Sequence, residues 1–308
     1  MSTLHPETKP VSKMVSKPPI LARAFGWIAN PRGLNQPAKL HAAVAGKVVL
    51  VTGASFGLGE ASAKQLAAAG AIVLIVARTQ DKLDAVAAEI KAAGGIVHAY
   101  ACDLSDIPQV EALIATVLAE HGHVDVLVNN AGKSIRRSVT LSFDRFKDYE
   151  RTNAINYLGP VRLVLGLLPS MQARGQGHIV NVSTIGTRVP PGPRWAAYQA
   201  SKGAFDIWLR SVAIEMESFG VTTSTIYMAL IYTRMSAPTP IYRVMPGLMP
   251  EEAAHLIERA VVERPLEINP PWLRGSELAS TVLRTPTRWI MRQMYLHSGD
   301  TASAKSSR

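Results

Sequence analysis

From residue 46 to about 265 the chain alternates short runs of β-branched residues with longer stretches that carry Ala and Leu at helical spacing. The apolar runs fall at residues 48–52, 72–76, 96–101, 124–128, 178–182 and 222–227. Apolar runs separated by crossover-length helical stretches mark strands of a parallel sheet covered on both faces, so the fold class is α/β, a doubly wound parallel sheet in a single domain. Ligands of such sheets bind at the carboxyl ends of the strands, where strand order reverses. Most residues singled out below fall at those ends.

At 308 residues, with 47% hydrophobic and 18% charged residues, the chain is long and apolar enough for one large core with appended segments. The boundaries read as a basic arm over 1–44, the domain over 45–265, a C-terminal helical segment over 266–297, and a polar tail over 298–308 that is expected to be disordered. No internal repeat is present.

The net charge of +10 is concentrated partly in the arm, where Lys9, Lys13, Lys17, Arg23, Arg32 and Lys39 face only Glu7. Such a field favours anionic partners, namely a phosphorylated cofactor, a CoA thioester or anionic lipid. Nucleic acid is not an expected partner: zinc-finger spacing, an aromatic-interleaved basic strand and a basic reading helix are all missing. The apolar island Phe25-Gly26-Trp27-Ile28 is expected to dock on protein, with a lipid surface as the other reading. The single cysteine, Cys102, excludes an internal disulfide and points to a reducing compartment. No apolar run approaches the ~18 residues of a membrane span, and the N-terminal apolar stretch is broken by Arg23. The expected location is cytoplasmic, with contact to a membrane surface left open.

The first strand runs into Thr52-Gly53-Ala54-Ser55-Phe56-Gly57-Leu58-Gly59 and then into helical sequence. Glycines so placed let a chain turn tightly, admit a pyrophosphate to the backbone and start a helix whose free N–H groups face the anion. The candidate loop residues are Gly53, Ser55, Gly57, Leu58 and Gly59. At the end of the second strand Ala77 stands where an NAD-preferring site carries a carboxylate, while Arg78 suits a 2′-phosphate, so NADP(H) is the expected cofactor. Asp103, followed by Leu104, is read either as an acceptor for the adenine amino group or as an ordinary helix N-terminal Asp. Asn129-Asn130-Ala131-Gly132 closes the fourth strand, with Asn130 and Ala131 as candidate cofactor contacts. Tyr198 and Lys202, four apart on a helix, share a face, which sets an ammonium beside a phenol and favours its ionised form. Cys102, without a neighbouring base, reads as a small buried residue. No metal set is assigned.

This ordered series, with Asn156 and the strand end Val182-Ser183-Thr184, resembles the short-chain dehydrogenase/reductases over residues 46–240. The resemblance implies a Rossmann-type fold, Tyr198 as general acid, and Lys202 lowering its pKa while binding the nicotinamide ribose. It further implies a hydroxyl holding the substrate oxygen, Asn156 keeping a water in the proton relay, Ile231 and Thr233 near the nicotinamide carboxamide, and a homo-oligomer. A narrower likeness, to bacterial fatty acyl-CoA reductases, lies in Lys133-Ser134-Ile135-Arg136-Arg137-Ser138, Ser142-Phe143-Asp144-Arg145-Phe146, Asn156-Tyr157-Leu158-Gly159, Ala237-Pro238-Thr239 and Pro250-Glu251-Glu252. It implies reduction of an acyl-CoA to an aldehyde; Lys133, Arg136 and Arg137, beside the fourth strand, read either as partners of CoA phosphates or as a solvated basic loop. The alternatives are reduction of another lipophilic ketone or aldehyde, and a non-catalytic cofactor-binding scaffold. Three departures stand out. Thr184 occupies a usual Ser position one residue further than usual from Tyr198, so Ser183 competes for the role. Met228-Ala229-Leu230 replaces a Pro-Gly after the sixth strand, and the C-terminal segment is short.

Overall fold

A computed structural model describes residues 25–26, 29–189, 192–239, 242 and 244–306. Trp27 and Ile28 of the apolar island, and the basic residues of the arm before Phe25, lie outside them. Among the described residues, the elements in chain order are α1 (Pro37–Val44), β1 (Val48–Thr52), α2 (Gly57–Ala68), β2 (Ile72–Ala77), α3 (Gln80–Ala92), β3 (Ile96–Ala101), α4 (Ile107–His121) and β4 (Val126–Asn129). There follow α5 (Lys147–Asn153), a π-turn (Ala154–Leu158), α6 (Gly159–Ala173), β5 (Gly177–Thr184), α7 (Ala196–Glu217) and β6 (Val221–Met228). The chain continues with α8 (Pro250–Glu263), β7 (Glu267–Ile268), α9 (Leu273–Val282), α10 (Arg284–Leu296) and α11 (Ala302–Ser306).

The strands form one parallel sheet in the order β3-β2-β1-β4-β5-β6-β7. Because side chains alternate along a strand, β1 sends Val49 and Val51 to one core with α1, α2, α3 and α8, and Val48 and Leu50 to the other with α4, α6 and α7. All five residues of β1 are buried, which is why the strand reads as an unbroken apolar run. Strand order reverses between β1 and β4, so a crevice opens at their carboxyl ends.

The amino ends of the central strands are tied by Asp125. Its carboxylate accepts from the Val48 N–H at 2.9 Å and from Arg174 Nη2 at 2.6 Å, while its backbone bonds Val48 and His178. Two elements depart from expectation. β7, two residues long, lies inside the segment expected to be helical. The tail expected to be disordered instead carries defined contacts: the Ser138 N–H donates to Asp300 Oδ1 at 2.8 Å, Arg194 Nη1 donates to Ser298 Oγ at 2.7 Å, and Ala304 is buried. At the other end, Trp272 Nε1 donates to Ala29 O at 2.9 Å and Leu34 N to His255 O at 2.8 Å, which fastens residues 29–34 to the domain.

Burial alone would raise the Asp125 pKa, but the Arg174 and Val48 hydrogen bonds outweigh it and hold the carboxyl below its ordinary value. Asp125→Asn is therefore expected to lower stability by about 2 kcal/mol at pH 7. Because the native pKa is depressed, the wild-type advantage holds above the unfolded value of 3.8 and fades as pH falls through the native one. Urea unfolding of both proteins at pH 7 and at pH 3 checks this.

Candidate active site

The glycine loop leaves β1 at the crevice. Gly53 (φ +68) and Gly57 (φ +62) occupy the left-handed region, where side chains are strained. Gly59 is excluded from substitution for a different reason: a Cβ there would collide with Gly53 O and lie 2.6 Å from Asn130 Nδ2. Asn130 straps the loop, its Nδ2 donating to Thr52 O at 2.9 Å and to Gly53 O at 3.4 Å. The Asn130 and Ala131 N–H groups both donate to Thr52 Oγ1 at 3.0 Å. These residues thus brace the cradle from behind. Leu58 turns its side chain into the core, and Leu104 is buried with its carbonyl against Gly159, so neither offers a side chain to a ligand.

Helix α2 starts without a side-chain cap, so its first N–H groups remain available to an anion. Two cations border the site. Arg78 extends from the end of β2 with its side chain 68% exposed, and the Arg234 guanidinium lies over the Phe56 ring at 4.9 Å. Thr233 completes the wall, its Cγ2 standing 3.3 Å from where a Gly57 Cβ would be. Uncapped N–H groups, positive-φ glycines and flanking arginines fit a dinucleotide pyrophosphate, and Arg78 fits a 2′-phosphate. Asp103 spends one oxygen on its own turn, accepting from Ser105 N at 2.9 Å and Ser105 Oγ at 2.6 Å, and the other lies 3.8 Å from Arg78. It does not cap α4, a role taken by Asp106.

Across the crevice, Lys202 of α7 is 7% exposed and its Nζ donates to Val182 O at 3.0 Å. Gly132 makes room for it: a Cβ there would stand 3.3 Å from the ammonium and 3.1 Å from Asn156 Oδ1. Asn156 is fixed in turn. Its Oδ1 accepts from Lys133 N at 2.8 Å, and its Nδ2 donates to Lys133 O and Ser201 Oγ, each at 2.9 Å. It sits in the π-turn joining α5 to α6, a helical defect of the kind found at functional sites.

The Thr184 hydroxyl accepts from the Gly186 N–H at 3.2 Å and acts on the nearby Tyr198 phenol to favour its ionised form, while Ser183, its neighbour on the opposite strand face, is buried with Oγ unpartnered. The Tyr198 pKa differs from the sequence expectation. Burial raises it to about 12, against the Thr184 hydroxyl, and Tyr242 adds to the rise. The cause is desolvation, which penalises phenolate. Lys202 is itself pushed down to about 8 by burial. The thiol of Cys102 is buried and raised by desolvation to about 11.

The basic loop after β4 is not a free phosphate site as expected. Arg137 is 8% exposed, paired with Asp148 and bonded to Ala304 O, and Arg136 donates to Gly299 O at 2.9 Å. Arg137 and Arg136 are instead consumed in holding the C-terminal tail. Burial and the like charges of Arg151 and Arg78 lower the Lys133 pKa. Arg234, over the Phe56 ring of the glycine loop, was not foreseen as a cofactor-side cation.

Because Lys202's native pKa of about 8 lies below its unfolded value of 10.5, its charged form is penalised below pH 8 and the penalty disappears as pH rises past the unfolded value. Lys202→Met is therefore expected to stabilise the free protein by roughly 2 kcal/mol at pH 7, after allowing for the lost bond to Val182, with the gain vanishing by about pH 10.5. Thermal unfolding of the two proteins across that range measures it.

The sequence model described as short chain dehydrogenase matches residues 47–241. An uncharacterized oxidoreductase of Mycobacterium tuberculosis is 43% identical over 284 residues, covering 91% of this chain and 83% of that protein. A fatty acyl-CoA reductase of Acinetobacter baylyi is 50% identical over 225 residues, 73% of this chain and 76% of that one. Among solved structures, a metagenomic short-chain oxidoreductase in complex with NADP superposes with a TM-score of 0.63 at 32% identity, over 71% of this chain and 92% of that chain.

Proposed function

From the premise that the chain belongs to the short-chain dehydrogenase family and is an oxidoreductase, we propose that it is an NADPH-dependent reductase of a lipophilic carbonyl substrate, fatty acyl-CoA to fatty aldehyde first among them. The observation that carries the reductase reading is Tyr198, with the Thr184 hydroxyl acting on its phenol and Lys202 one helical turn away on the same face. The substrate reading rests on the similarity to the Acinetobacter baylyi fatty acyl-CoA reductase.

The residues proposed to hold the cofactor are the glycine loop with Ser55, the first N–H groups of α2, and Arg78 with Asp103 at the adenosine end. Ile231 and Thr233 take the carboxamide, and Lys202 the nicotinamide ribose. NADPH, when bound, supplies a hydride to the carbonyl carbon. Thr184 donates a hydrogen bond to the carbonyl oxygen and Tyr198 delivers its proton as charge develops there. Asn156, held by the Lys133 backbone, positions water behind Lys202. From a thioester the product is a thiohemiacetal that expels CoA thiol and leaves the aldehyde. No enzyme thiol takes part, in keeping with a buried Cys102 held protonated.

A homo-oligomer belongs to the same reading, supported by Leu158, Leu165, Ile207 and Ile214 exposed near or along α6 and α7. So does a cytoplasmic location, supported by the unpaired Cys102.

With NADPH and palmitoyl-CoA the purified protein is expected to consume NADPH and release free thiol in equal amounts. Oxidation of NADPH with lipophilic ketones or aldehydes but no thiol from the thioester would move the assignment to a ketone or aldehyde reductase. Tyr198→Phe is expected to lose at least about a hundredfold in turnover while binding NADPH normally; normal turnover in that variant would point to a scaffold. Arg78→Ala is expected to weaken NADPH binding by roughly ten- to a hundredfold and leave NADH binding almost unchanged, as measured by cofactor fluorescence titration.

A further inference from the structure

The last long helix, α10, has no buried residue along its whole length. Trp289 (61% exposed), Ile290, Met294 and Leu296 stand in solvent, and Leu278 and Val282 of α9 extend the same apolar exposure. A single exposed apolar residue needs no explanation, but a helix with this many does. Spaced by four, Arg284, Arg288 and Arg292 form one row beside the apolar arc. All three are exposed, none has a carboxylate partner among the described residues, and α10 contains no acidic residue. Among the described residues no helix is long and apolar enough to cross a membrane.

We propose that α10, with the adjoining end of α9, lies flat on an anionic membrane surface. Trp289, Ile290, Met294 and Leu296 enter the headgroup boundary, and the arginine row meets lipid phosphates and carboxylates. An apolar arc alone would not distinguish lipid from a protein partner. The unpaired arginine row decides for anionic lipid, since a second copy of this chain carries the same excess of positive charge.

The contact has a consequence for the crevice. The C-terminal end of α10 is clamped by Arg194, whose guanidinium lies 4.4 Å from the Tyr295 ring centre and whose Nη2 donates to Ser298 O at 2.7 Å. Arg194 sits in the left-handed region (φ 71) four residues before Tyr198, and the Trp195 ring lies 5.9 Å from that of Tyr198. Docking through α10 therefore ties the membrane-bound helix to the loop that leads into Tyr198. The surface assignment itself does not depend on the proposed reaction.

The test is sedimentation of the full chain with phosphatidylcholine vesicles, with and without phosphatidylserine. Binding is expected only to the anionic vesicles, and added salt should weaken it. The triple substitution Arg284→Gln, Arg288→Gln, Arg292→Gln is expected to weaken it about a hundredfold, and Trp289→Ser should weaken it on an unchanged fold, with unfolding temperature and NADPH binding as controls. Absence of binding to anionic vesicles would overturn the proposal, as would binding that survives the arginine substitutions but is lost in Lys9→Gln, Lys13→Gln, Lys17→Gln. A lipid-free dimer that is lost with Trp289→Ser would overturn it too, by assigning the face to a second copy.

Discussion

The site is organised around a cation held out of water. Lys202 lies in the wall of the crevice with the Val182 carbonyl as its hydrogen-bond acceptor, and burial has already drawn its pKa down to about 8. A buried ammonium with so little compensation is costly. The residues around it are those its confinement requires: Gly132, where a methyl group would press on the ammonium, Asn156, locked by the Lys133 backbone, and Ser201, which links Asn156 to the Tyr198 carbonyl. The tyrosine is under the same pressure with opposite sign. In a dry site the neutral phenol is favoured, so Tyr198 holds its proton. Both groups await a polar ligand to restore what burial took from them.

The two halves of the crevice are joined by the sheet. Parallel pairing of β1 with β4 and of β4 with β5 sets the glycine loop, residues 130–132 and Thr184 at one edge, and Asn130 converts that adjacency into a brace across the loop. At the other edge Asp125 holds β1, β4 and β5 in step with α6. The α7 side is set by Arg194. Its carbonyl accepts from Arg137 N and its guanidinium collects the C-terminal tail, so loop, helix start and chain end meet at the entrance.

Most of the fold was legible because β1, β2, β4, β5 and β6 are buried along nearly all their length and read as apolar or β-branched runs, while the edge strand β3, exposed along much of its length, was marked by its spacing in the series. The two-residue β7 has no periodicity to read and exists only through its pairing with β6. The site's residues were legible as an ordered set, since each falls just after a strand or on a helix face that strand order brings to the crevice. Their environments were not. Spacing put an ammonium beside a phenol but said nothing about desolvation, which moves each group toward its neutral form. The helix defect around Asn156 is invisible in a pattern that runs on from α5 into α6. Arg136 and Arg137 read as free phosphate ligands because their partners, Asp148 and the tail, come from other parts of the chain. The same distance hid the tail, where Ser298 and Asp300 look like solvated polar residues until Arg194 is set against them.

The most direct measurement is calorimetry of NADPH binding in buffers of different ionisation enthalpy near pH 8.5. If a bound nicotinamide ribose relieves the desolvation of Lys202, its pKa must rise on binding, and the complex takes up a fraction of a proton approaching one, with affinity falling as pH increases. Lys202→Met should abolish the uptake. A binding heat independent of buffer in the wild-type protein, or the same uptake in the variant, would contradict the claim that this buried ammonium is the group around which the site is built.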